Sequence, residues 1–133
     1  MSSSLPQIVI YDTLTASKRP LVPIKPGHVG MYVCGLTVYD YSHIGHARTF
    51  ILFDVIRRYL MHRGYTVRFV RNHTDVDDKI IRRANELGED PLALASRFVD
   101  ALDEDLDRLR LLKPDVSPRV TEEIGAIISM TES

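Results

Sequence analysis

Cysteine occurs once in the 133 residues, at position 34, so no internal disulfide can form. The net charge of −1 provides no overall field for a polyanion, and any contact with nucleic acid must therefore be local. No apolar run nears the ~20 residues that a bilayer crossing requires. The most apolar stretch, TFILFDVIRRYL, is broken by Asp54, Arg57 and Arg58, which excludes membrane insertion. The opening MSSSLPQIVIYD lacks a charged segment followed by an apolar run and a cleavage site, and with the lone thiol this argues for the cytosol. Internal repeats and low-complexity tracts are absent as well. What remains is an ordinary globular composition, 44% hydrophobic and 26% charged: enough for one core, but short for a complete multi-step enzyme.

QIVIYD and GMYVCG read as two strands around an irregular stretch containing Pro20, Pro23, Pro26 and Gly27. A helix follows from about Ala47 to Arg63. Asp54, Arg57, Arg58 and His62 recur on it at helical spacing, while Leu52, Phe53, Ile56, Tyr59 and Leu60 cover much of the rest, so most of it should be buried. Gly64 ends the helix and TVRFVR supplies a second core strand. Met31 to Arg71 is thus strand, loop, helix, strand, which implies a right-handed crossover onto a parallel sheet. Ligands of such sheets bind beyond the strand C-termini, where Cys34, His43, His46 and NHTDVDD should converge on one pocket.

The chain downstream reads as helical. TDVDDKIIRRANELG has Thr74 or Asp75 as cap, Val76, Ile80, Ala84 and Leu87 on one face, and Gly88 as terminator. Asp90 and Pro91 start a second helix, whose stripe of Leu94, Phe98, Leu102 and Leu106 runs to about Leu112. Its acidic DEDLD face reads as solvated. Ser117 and Pro118 open a third helix, and its Ile124, Ile127 and Ile128 want a partner surface.

VCGLTVYDYSHIGH, residues 33–46, leaves three readings open. Cys34, His43 and His46 could supply three zinc ligands, although the spacing matches no established zinc pattern. A helix N-terminus with Gly45 and two imidazoles on one side of its first turn suits a phosphate instead. A histidine at a helix start is also often only a capping or packed residue. Asp75, Asp77 and Asp78 raise a similar choice between a magnesium cluster and acids favoured by the helix dipole, and the dipole is the simpler account.

YVCGLTVYDYSHIGHARTF, followed by RNHTDVDDKIIRRANE and PDVSPRVTEEI, resembles the cysteinyl-tRNA synthetases, a class I family with the HIGH signature at His43-Ile44-Gly45-His46. The similarity covers nearly the whole chain from about Tyr11. It implies an α/β fold: the first half of a Rossmann-like parallel sheet with flanking helices, and a helical C-terminal part. Residues 1–133 would form a single incomplete domain. About 1–115 would be the N-terminal half of the nucleotide-binding domain, and about 116–133 would lead into the remainder.

The resemblance also implies the chemistry: cysteine and ATP give cysteinyl-adenylate, and the cysteinyl group then passes to tRNA(Cys). His43 and His46 would be catalytic and, with Gly45, would bind ATP, with Leu36, Thr37 and Tyr39 lining the adenylate turn. Gly35, Thr37 and Thr74 would contact the substrate cysteine. Cys34 would be one of four zinc ligands, the other three lying outside these residues. Zinc's preference for sulfur would select cysteine over serine, and magnesium would accompany ATP. The family pattern also brings a cytoplasmic setting and a monomer as the expected state. A relative that joins cysteine to an amino sugar fits less well, since Val38, Ile44 and Arg48 suit the tRNA enzyme. A truncated paralogue that binds nucleotide or a partner without catalysis is the alternative from another class. His73 departs from the family pattern, which usually has an apolar residue there.

Overall fold

The structure, a computed structural model, describes residues 7–133; Met1–Pro6, part of the segment read as carrying no targeting signal, lie outside the described residues. No helix among the described residues is long and apolar enough to cross a membrane. Strands β1 (Val9–Asp12) and β2 (Ser17–Pro20) form an antiparallel hairpin, with Val9 opposite Pro20 and Asp12 opposite Ser17. The partner of QIVIYD therefore lies inside the stretch expected to be irregular. Pro20 is tolerated because it sits at the strand terminus, where a missing N–H breaks no ladder.

Strand β3 (His28–Val33) pairs in parallel with β4 (Thr66–Arg71), His28 facing Thr66 and Val33 facing Arg71. Helix α1 (Ile44–His62) connects them, giving the expected parallel α/β unit. Backbone pairing continues past both strand tips. Thr37 bridges Thr74, while Val116 and Arg119 pair in parallel with Val70 and His73. Ser117 Oγ donates to the Arg71 carbonyl, and Pro118 O accepts the His73 N–H. Ser117 and Pro118 therefore open no helix. The free edge of β4 offers their backbone groups partners that must otherwise be found elsewhere.

Most of α1 is exposed, contrary to the expectation that most of it is buried, and of its polar positions Arg57 is buried and Asp54 half-buried while Arg58 and His62 are exposed. Arg57 is buried, donating to the Lys113 carbonyl (2.7 Å) and Asp115 Oδ2 (3.0 Å) with its guanidinium over Phe69. Asp54 accepts from the Leu112 N–H and from Arg58. Leu52 (56%), Val55 (55%) and Tyr59 (46%) are exposed, and only Phe50, Arg57 and Leu60 of the helix are buried. Helical spacing shows that two faces exist; the hydrogen bonds offered by 110–115 decide which one is covered.

Helix α2 (Asp78–Leu87) is capped by Asp77, not by Thr74 or Asp75, and Gly88 closes it in the left-handed conformation at φ 66. Val76 and Leu87 are exposed, while Ile80 and Ala84 are buried. Helix α3 (Pro91–Arg108) is capped by Asp90 and stops short of Leu112. Its Leu94, Phe98, Leu102 and Leu106 pack with Ile80, Ala84, Val38 and Phe50 to form the core. The acidic DEDLD face is not merely solvated: Asp103 pairs with buried Arg71 (3.2 Å), and Asp105 accepts the Ser42 hydroxyl (2.7 Å). A short 3-10 turn at Val120–Glu122 precedes α4 (Ile124–Thr131), whose Ile124, Ile127 and Ile128 are exposed.

Candidate functional site

The segment between β3 and α1 is held at both ends. The Val38 N–H donates to Thr74 O and the Thr74 N–H to Leu36 O, each at 3.2 Å, so the turn begins as an extension of the sheet. Val38 is buried in the core, and the Tyr41 ring meets Phe98 edge-on at 5.1 Å. Ser42 then ties the segment to Asp105 on α3. His43 has extended backbone and is the N-cap of α1.

The two imidazoles cap the helix reciprocally. His43 Nδ1 accepts the Gly45 N–H at 3.1 Å, and His46 Nδ1 accepts the His43 N–H at 3.3 Å. The rings stack with centroids 3.7 Å apart at 24°. A neutral imidazole that accepts at Nδ1 carries its proton on Nε2, so both rings have an Nε2–H left to donate to a ligand. Burial, and then the neighbouring His43, push the His46 pKa below its ordinary value, which favours that neutral form. Gly45 has a steric role: a Cβ there would lie 2.8 Å from His43 Cε1. The capping and phosphate readings are therefore compatible, because capping fixes the donors.

A cavity of about 380 Å³ opens above this turn, lined among others by Gly35, Leu36, Thr37, Tyr39, His43 and His46. Gly45 and Thr74 are not on its wall; they support it through the cap and the Thr37 bridge. Cys34 lies beside Gly35 but is exposed and does not line the cavity, so the single pocket expected for thiol and imidazoles is not formed. Gly35 is needed where it stands, since a Cβ there would fall 1.7 Å from Asn72 O.

Lys79 was not singled out by spacing, yet it lines the same cavity with its ammonium 5.8 Å from the Tyr39 ring centroid. A lysine in the first turn of a helix opposes the dipole, and that mismatch was the available signal. It has no acidic partner among the described residues.

Among the described residues no group of three or more His, Cys, Asp or Glu could hold a metal. The Cys34, His43 and His46 zinc reading fails because both Nδ1 atoms are engaged by backbone N–H groups. The acids of NHTDVDD disperse. Asp75 is buried and accepts from the Thr121 N–H (3.0 Å) and hydroxyl (2.6 Å), Asp77 caps α2, and Asp78 enters its first turn.

Residues 20–133 match the family described as tRNA synthetases class I (C) catalytic domain. A cysteine–tRNA ligase of Anaeromyxobacter sp. (strain K) is 63% identical over 123 residues, covering 92% of this chain and 26% of the relative. That of Thermococcus onnurineus (strain NA1) is 60% identical over 121 residues, covering 91% and 25%. The chain thus spans about a quarter of the length of the curated relatives it matches. In structure it is similar to methionyl-tRNA synthetase of Mycobacterium tuberculosis bound by methionyl-adenylate, with a TM-score of 0.63 and 28% identity over 73% of this chain and 19% of the other. A match over most of the sequence, on a parallel sheet with a histidine-capped helix at its ligand end, makes this chain a member of the class I (C) tRNA synthetase catalytic-domain family.

Proposed function

We propose that these residues form the nucleotide side of a cysteine–tRNA ligase site. L-Cysteine attacks the α-phosphate of ATP through its carboxylate, pyrophosphate leaves, and the cysteinyl group of the adenylate passes to the terminal ribose of tRNA(Cys). The observation that carries this reading is the pair of Nε2–H donors fixed at the N-terminus of α1, on the wall of a cavity large enough to accept a nucleotide portion.

The attacking carboxylate is already ionised at neutral pH, so the first step needs no general base. Position and charge stabilisation do the work. His43 and His46 donate to phosphate oxygens, the helix dipole adds to the same field, and Lys79 supplies the full positive charge on the cavity wall. Tyr39 and Thr37 frame the adenylate, and Gly35 and Thr74 contact the amino acid.

ATP would bring its own magnesium, and the scattered Asp75, Asp77 and Asp78 do not form a site for it. Cys34 alone, an exposed free thiol, does not fit a self-contained zinc centre among the described residues. In this reading Cys34 is one ligand among others outside the described residues. Residues 1–133 act as one incomplete domain of a monomeric, cytoplasmic enzyme, with about 1–115 carrying the nucleotide site. The 133 residues alone bind nucleotide without charging tRNA.

Isothermal titration of the chain with ATP and with a cysteinyl-sulfamoyl adenosine tests this. Binding of both, weakened about tenfold or more by His46→Asn, supports the site. Binding of ATP alone favours a nucleotide-binding module, and binding of neither removes the proposal. Aminoacylation by the purified chain above background would refute the absence of turnover.

A further inference from the structure

We propose that Asn72 is a positioning residue that locks the tips of β3 and β4 together and holds the Thr74 hydroxyl as a donor toward the substrate amino acid. This rests on reading Gly35 and Thr74 as contacts of that substrate. Asn72 follows directly on β4, and its side chain spans three groups. Oδ1 accepts the Gly35 N–H at 2.8 Å and the Tyr32 hydroxyl at 2.9 Å, while Nδ2 donates to Thr74 Oγ1 at 3.2 Å.

The orientation of the amide follows from chemistry. A backbone N–H can only donate, so the atom facing Gly35 must be the oxygen, and the NH2 must then face Thr74. Thr74 Oγ1 consequently acts as acceptor toward Asn72, and among the described residues no acceptor takes its own proton. That proton remains for an acceptor on the amino acid, its thiolate or the carboxyl oxygen that the adenylate and its sulfamoyl analogue both keep as an acyl C=O. The backbone carbonyl of Asn72 meets Gly35 so closely that only glycine fits, which places the two substrate-contacting positions at a fixed separation. Asn72 does not line the 380 Å³ cavity, so its effect should fall on the amino acid and not on the nucleotide.

Asn72→Asp tests the donor assignment. The introduced carboxylate keeps acceptors for Gly35 and Tyr32 but puts an acceptor where Nδ2 stood, so Thr74 turns its proton onto that carboxylate instead of the ligand. Titration of the chain with cysteinyl-sulfamoyl adenosine should then show affinity reduced about tenfold, with ATP affinity within about twofold. Thr74→Val should cost a similar factor and Thr74→Ser much less. In the Thr74→Val background Asn72→Asp should cost nothing further, whereas beside Thr74→Ser it should again cost about tenfold. A purely structural role would persist in both backgrounds. Multiplying losses in the Val background, or an Asn72→Asp chain that binds like the parent, would overturn the inference while leaving the nucleotide site intact. A parent chain that binds neither probe would overturn the functional reading beneath it.

Discussion

His43 and His46 each give a ring nitrogen to a backbone N–H of the other's turn, so that the first turn of α1 is capped by the same two side chains that line the cavity. Stability and ligand binding are therefore linked through the neutral imidazole. Protonating His46 at Nδ1 would break its bond to the His43 N–H.

Mild acid should weaken the fold through its two buried or stacked histidines. The pKa of His46 is lowered by burial and by His43. That of His73 is lowered first by burial, with Arg71 and Arg119 adding to the shift and Asp103 and Asp75 opposing it. A histidine whose folded pKa lies below its unfolded value of about 6.5 leaves the unfolded chain binding more protons in the interval between the two. The contribution is complete above about pH 6.5 and is lost as pH falls through the folded values. Urea unfolding at pH 8 and at pH 5.5 should give the lower stability at pH 5.5, with a smaller difference in His73→Gln; equal stability at both would contradict this.

The two glycines of the site should respond differently to alanine. Gly35→Ala drives a Cβ into the backbone carbonyl of Asn72, which cannot yield without parting the strands, and should cost about 2–3 kcal/mol in chemical denaturation. At Gly45 the new Cβ meets only the His43 ring, and alanine is favoured in a helix by about 1 kcal/mol. Displacing that ring also loses the N-cap, at about 0.5–2 kcal/mol, so Gly45→Ala should cost less than about 1 kcal/mol net while ATP affinity falls, because the displaced ring is a phosphate donor. A loss of stability as large as that of Gly35→Ala would be the contrary result.

Two ion pairs of similar appearance should differ widely. Asp115 Oδ2 accepts from buried Arg57 and from the Phe69 N–H at 2.6 Å, so Asp115→Ala orphans two donors and should destabilise by about 2–3 kcal/mol. Arg108 and Glu104 are 70% and 65% exposed in their side chains, and Glu104→Ala should change stability by less than about 0.5 kcal/mol. Thermal unfolding of both variants decides the order.

The exposed thiol of Cys34 should react with a maleimide in the folded chain as completely as in urea. Cys34→Ser should leave the unfolding midpoint unchanged, and the chain should hold zinc only weakly, as read by competition with a chromogenic chelator. Protection of the thiol in the native state would show that it is enclosed.

Much of the architecture was legible because it depends on neighbours in sequence. Alternating TVRFVR, the glycines at 64 and 88, and the Asp90–Pro91 start each constrain their own backbone, and the structure places them as read. The HIGH turn was legible too, since a helix start with two imidazoles three residues apart defines its own geometry. The caps of α2 and the fate of Ser117–Pro118 were misjudged because both depend on a distant strand. Thr74 and Asp75 had the chemistry of caps, but the backbone of Thr74 is paired with Leu36 and Val38, and the carboxylate of Asp75 is taken by Thr121.

Residue order alone dictated the parallel β3–α1–β4 unit, the stripe along α3 and the histidine-capped turn, because each arises from periodicity or from contacts within a few positions. Packing alone decided that α1 turns Arg57 inward, that Asp103 serves Arg71, that Cys34 stays outside the cavity and that Lys79 enters it. Those outcomes follow from which hydrogen-bond partners remain free once remote segments come together, and no local pattern records that competition.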